Sequence, residues 1–201
     1  MRLATLSALL LLATPAAADP GKGTWIVTEL GASVWHANWN AVSNDRAGRG
    51  GIDGAGLRVR VGALFGVVPG LAVGPIVGGD TAFTHASSEL CCGEVHRVDT
   101  GRIGVETAWW PDPRVGFRVL FGFGYAAAAT RVDDVGRAAP GVLGAAYPTG
   151  SWFSLGLARD TKLGERTRIG GVLRLEADHL TTDSQSMDTF LPSLSLVVSS
   201  Q

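Results

Sequence analysis

The chain has 201 residues, of which 46% are hydrophobic and only 17% charged, where an ordinary soluble domain carries roughly 25% charged residues. Its net charge of −1 and high apolar content exclude a disordered chain. Beyond the N-terminus no run of 18 apolar residues is present to form a helical membrane span. Lys22 and Lys162 are the two lysines, the other basic residues are Arg, and no basic run occurs. A nucleic-acid partner is therefore not expected.

Met1-Arg2, the apolar run Leu3 to Ala13 and the small residues Ala16-Ala17-Ala18 have the order of a secretory signal peptide. Residues 1–18 are predicted to be that segment and 19–201 one mature domain beyond the cytoplasmic membrane. In the mature part apolar residues recur at every second position, the period of a half-buried strand. The predicted strands cover 24–36, 53–66, 71–83, 101–110, 114–126, 148–158, 166–180 and 189–199, each close to the roughly 9–11 residues that a tilted strand needs to cross a bilayer. In the second, Leu57, Val59, Val61, Ala63 and Phe65 oppose Arg58, Arg60, Gly62 and Leu64. The fifth is clearest: Val115, Phe117, Val119, Phe121, Phe123 and Tyr125 share one face, and Arg114, Gly116, Arg118, Leu120, Gly122 and Gly124 the other. The connections after strands two, four and six are short. Those after one, three, five and seven (37–52, 84–100, 127–147 and 181–188) are long and mostly polar.

Long connections on one side and short ones on the other are the asymmetry of outer-membrane barrels. The pattern resembles the small eight-stranded outer-membrane barrels of OmpA/OmpX-type architecture over essentially the whole mature chain. The resemblance implies an all-β, antiparallel, up-and-down transmembrane β-barrel in the cell outer membrane. One departure is the C-terminus. Such barrels usually end on an aromatic residue, whereas here Leu194, Leu196 and Val198 keep the alternation and the chain ends at Gln201.

A soluble lipocalin-like carrier would also show eight alternating strands, with its apolar face inside. A solvated outer face would be rich in Lys and Glu. Here the polar face is mostly Gly, Ala and Ser with Arg and a few carboxylates, and the bulky apolar face places Trp109, Phe83, Tyr125 and Phe153 near strand ends. Aromatic rings at two levels fit the two membrane interfaces, so the polar face is expected to line the lumen. It carries Arg58, Arg60, Arg102, Arg114, Arg118, Arg168 and Arg174, with Glu29, Asp80, Glu106, Glu176 and Asp178. Confined opposite charges should pair and plug the barrel. Glu106 and Arg118 are expected to meet across the hairpin at 111–113, and Arg102, Arg114 and Arg168 to sit at strand ends in water.

Other chemistry is sparse. Cys91 and Cys92 are adjacent in a loop and read as a local disulfide in an oxidising compartment. A zinc site with His85, Glu89 and His96 would depart from the usual spaced cysteines. His85-Ala86-Ser87 superficially resembles the His-x-Ser of outer-membrane lipid A deacylases, yet Glu89 is too close in sequence to supply a carboxylate from another strand. Asp178, His179, Asp183 and Asp188 lack the spacing and the turn glycine of a calcium loop. His36, with Trp35 and Trp39, marks the outer rim of strand one. No catalytic residue, cofactor or metal is expected. The reading is a non-enzymatic barrel in contact with outer-membrane lipid, its long loops meeting an extracellular partner. A lipid-A-modifying enzyme and a soluble periplasmic carrier are the alternatives.

Overall fold

A computed structural model describes residues 23–43, 46–88, 95–112, 115–132, 148–164, 166–182 and 185–201. Segment 1–18, Cys91, Cys92 and Arg114 lie outside them. Eight strands follow in chain order: β1 (Thr24–Ser43), β2 (Arg46–Val68), β3 (Leu71–Ser88), β4 (Val95–Trp109), β5 (Phe117–Val132), β6 (Thr149–Lys162), β7 (Thr167–Thr181) and β8 (Gln185–Ser200). Each pairs antiparallel with its neighbours, and β8 pairs with β1 to close the barrel. This is the expected all-β, up-and-down architecture.

Following the register once around the barrel from Glu29, through Arg60, Gly78, Arg102, Ala126, Gly150, Leu180 and Met187, returns to β1 at Trp39, ten residues on. Such a stagger makes the strands tilt, typically by about 35–45°. Pro69-Gly70 turns β2 into β3, and Gly70 adopts φ 80°, a backbone conformation that glycine takes without steric cost.

The strands run further than the apolar alternation suggested. Predicted loop 37–52 is largely strand, because β1 and β2 pair from Thr24↔Phe65 to Ser43↔Arg46. Strand also enters 84–100, 127–147 and 181–188. The backbone ladder needs no apolar side chains, so pairing continues past the point where the outward residues turn polar. Strict alternation of long and short connections is therefore not what the fold shows, since β1 and β2 are joined by 44–45 alone.

The outward face is apolar across the middle of the barrel, with Leu30, Val59, Val77, Ile103, Leu155, Leu173 and Leu194 all exposed. Trp109 and Phe65 are exposed towards the short-turn end, and Phe83, Tyr125, Phe153 and Phe190 towards the other. An apolar belt between aromatic girdles is a lipid-facing surface. Water would meet a polar face instead. Inside, one apolar cluster at the loop side includes Trp35, Ile52, Val98, Trp152, Leu180 and Leu191. A second, at the turn side, includes Trp25, Leu64, Trp110, Leu120, Val172 and Val197. Along β1, β2, β4 and β7 the buried charged residues other than Arg168 lie between them.

Candidate functional site

Inward parity places Glu29 on β1, Arg58 and Arg60 on β2, Asp80 on β3, Arg102 and Glu106 on β4, and Arg174, Glu176 and Asp178 on β7. All are buried. They form one continuous chain of ion pairs. Glu29 Oε1 accepts from Arg174 at 2.5 Å, and Arg174 also donates to Glu106 Oε2 at 2.7 Å. Glu106 Oε2 accepts from Arg60 at 2.9 Å, and Arg60 reaches Glu176 Oε1 at 2.5 Å. Glu176 Oε2 then meets Arg58 at 2.6 Å, and Arg58 Nε donates to Asp80 Oδ1 at 2.9 Å. Asp80 Oδ2 also accepts from Arg102, which donates to Asp178 Oδ2 at 2.6 Å. Thr189 completes the line by donating to Asp178 Oδ2 at 2.7 Å.

Alternating signs give every member between Glu29 and Asp178 an opposite charge on two sides, which is what makes burying so many charges tolerable. Arg58 adds a hydrogen bond to Ser193 Oγ at 2.5 Å. On the loop side the Arg60 guanidinium lies 5.1 Å from the Trp152 ring centroid, within cation–π range. Trp152 in turn donates Nε1–H to the Ile103 carbonyl at 3.2 Å, so an apolar side chain held by its own hydrogen bond roofs the charged layer.

A smaller cluster lies towards the short turns. Arg118 Nε is 3.3 Å from Asp160 Oδ2, and its guanidinium lies 5.8 Å from the Trp110 ring. Arg168 stacks 4.6 Å from Trp25. Arg118 and Glu106 are not the pair expected across the β4–β5 hairpin. Glu106 stands opposite Gly122 in the register, four residues from Arg118, and is engaged by Arg60 and Arg174. Arg102 is not at a watery strand end either, because β4 begins at Val95 and holds it mid-strand. Arg168, 5% exposed, is likewise covered, by Trp25.

Asp160 is the residue that sequence reasoning missed. Strand six was expected to stop at 158, yet the inward parity of Trp152, Ser154, Gly156 and Ala158 continues to Asp160. With Asp160 included, the buried ionisable residues are Arg58, Arg60, Arg102, Arg118, Arg168 and Arg174 against Glu29, Asp80, Glu106, Asp160, Glu176 and Asp178. The two signs balance among the described residues. Trp35 also departs from expectation, since it points inward and is 1% exposed rather than marking an outer rim.

No protein-family model matches the sequence, and no curated protein matches it. Solved structures do match in shape. The outer membrane protein OprG from Pseudomonas aeruginosa superposes with a TM-score of 0.54 at 10% identity, over 90% of this chain and 97% of that one. Neisserial surface protein A (NspA) matches with a TM-score of 0.48 at 12% identity, over 89% and 99% of the two chains. Ail, the attachment invasion locus protein of Yersinia pestis, matches with 0.43 at 8% identity, over 88% and 99%. With its closed eight-stranded sheet and its likeness to OprG, the chain has the fold of the small outer-membrane β-barrels.

Proposed function

We propose that the protein is a non-enzymatic outer-membrane barrel, reached after removal of segment 1–18, that is closed to diffusion and acts through its loop-side surface. The observation that carries this reading is the continuous ion-pair chain from Glu29 to Asp178, which crosses the lumen between β1, β2, β3, β4 and β7. Eight strands enclose a space that side chains can fill, whereas open aqueous porins use about sixteen or more. Apolar clusters on either side of this chain of charges add to the filling of the lumen. A barrel sealed in this way offers its surroundings the lipid-facing wall and the rim where 44–45, 89–94, 133–148 and 182–184 join the strands.

Planar bilayers containing the purified, folded protein test the reading and should show no stable single-channel steps. Large, steady openings from folded monomer would overturn it and put transport in its place. The non-enzymatic part is tested by the lipid A mass profile of cells with and without the protein. That profile should not change, and loss of an acyl chain only when the protein is present would replace the reading with a hydrolase.

A further inference from the structure

Buried charge balances over the lumen as a whole but not within each of its layers. The chain from Glu29 to Asp178 sets Arg58, Arg60, Arg102 and Arg174 against the larger set Glu29, Asp80, Glu106, Glu176 and Asp178. The turn-side cluster sets Arg118 and Arg168 against Asp160 alone. Lys162, exposed at the rim and the register partner of Arg168, adds a further positive charge there. The short-turn end, which faces the periplasm in outer-membrane barrels, therefore carries an excess of positive charge. We propose that Arg118, Arg168, Trp25 and Trp110 bind one small monovalent anion of chloride size, which enters from that end.

Donors without an acceptor mark the place. Trp25 Nε1, Trp110 Nε1 and Arg118 Nε have no hydrogen-bond partner, in residues only 5%, 4% and 2% exposed. Buried polar groups nearly always find a partner, and those left over in a folded chain call for a water or an ion. These donors belong to one layer. The Arg118 guanidinium lies over the Trp110 ring and that of Arg168 over Trp25, and the two indoles are members of one packed cluster. Each ring covers a guanidinium face, which leaves the N–H edges for an acceptor.

Asp160 accepts from Arg118 through Oδ1, and Arg168 lies within electrostatic reach of Asp160 and of Arg118 together. One carboxylate shared by two guanidinium groups leaves a buried positive charge without a counter-ion of its own, which is strongly unfavourable. Water would accept from an indole but brings no charge. A monovalent anion does both, and its hydrogen bonds from charged donors are the stronger kind. A dianion would overshoot the single excess charge, and the close cover of the lining residues suits a monatomic ion better than an oxyanion. The unpartnered Oδ2 of Asp160 repels an anion and so places it on the indole side of the layer.

The test uses the mature protein refolded in detergent micelles and unfolded with urea in sodium chloride or in sodium gluconate at the same ionic strength. Chloride should raise the urea midpoint saturably, because an ion bound only to the folded state stabilises it, whereas gluconate is too large to enter. Arg168→Gln and Trp110→Phe, which removes the indole N–H and keeps a ring, should each abolish the chloride-dependent shift. Arg97→Gln, at an ion pair with Asp99 on the outer face, should leave it intact. A heat-shift gel on every variant establishes that it is folded. Crystals grown in sodium bromide should show one anomalous peak inside the turn-side end, beside Trp25 and Trp110. Equal midpoints in the two salts, as water in the site would give, overturn the proposal. So does a shift that survives in Arg168→Gln or is lost equally in Arg97→Gln, and so does bromide found only elsewhere.

Discussion

Trp152 decides what its neighbour strand can carry. A methyl group on Gly122 would lie 2.8 Å from the Trp152 ring, and one on Gly124 would lie 2.8 Å from its Nε1 and closer still to the Ile103 carbonyl and the Gly104 backbone. The inward face of β5 is bare at these positions because the indole, together with Ser154 Oγ at Gly122 and the β4 backbone at Gly124, occupies their space. Gly122→Ala should therefore overpack the lumen and cost about 1–3 kcal/mol, read as a lower urea midpoint in bilayers, with part of the loss recovered in a Trp152→Leu background. Arg174 is the hub on the other side of the lumen. Arg174→Met leaves Glu29 and Glu106 each without one buried partner and should cost about 3–5 kcal/mol in the same titration. At this scale the inward charges other than Asp160 were legible from parity, but their partners were not. Parity names a face, whereas the stagger of the register decides which residues share a level. Glu106 therefore meets Arg60 and Arg174 from other strands rather than Arg118 on the next one.

Strands read well from sequence where the outside is lipid and poorly where it is not. The alternation of bulky apolar with small or charged residues gave all eight strands their positions, but it ends near residue 36 on β1 and 126 on β5. The ladders continue to Ser43 and Val132, beyond the apolar belt. Depth along a strand also has to come from neighbours. Val119 reads as mid-strand in the sequence, yet it is the register partner of Trp109, which belongs to the turn-side girdle. Leu155, two residues from the loop-side Phe153, is exposed within the apolar belt. Leu155→Arg should accordingly cost about 2–4 kcal/mol, and Val119→Arg distinctly less, because the penalty falls towards the interfaces. Equal costs in bilayer unfolding would show that the girdles are misplaced.

For the molecule as a whole, closure matters most. A closed ladder should stay folded in detergent at room temperature, so unboiled protein from outer-membrane fractions should migrate differently on a gel from boiled protein. Identical migration would count against a stable barrel. The seam where the ladder closes joins β1 to β8, from Ile26↔Ser200 to Ala41↔Gln185. The ion pair of Glu29 with Arg174, 145 residues apart in sequence, reaches across β8 to the strand beyond. In a half-made sheet Glu29 on β1 lacks Arg174, because β7 comes across the lumen to β1 only when β8 closes the ladder between them. The order of assembly is thereby tied to its completion: a chain cut before Gln185 would hold Glu29 beside an unpaired strand edge. Such a chain has an acid facing a space that lipid or water enters freely, and quality-control proteases would meet an open sheet instead of a sealed cylinder.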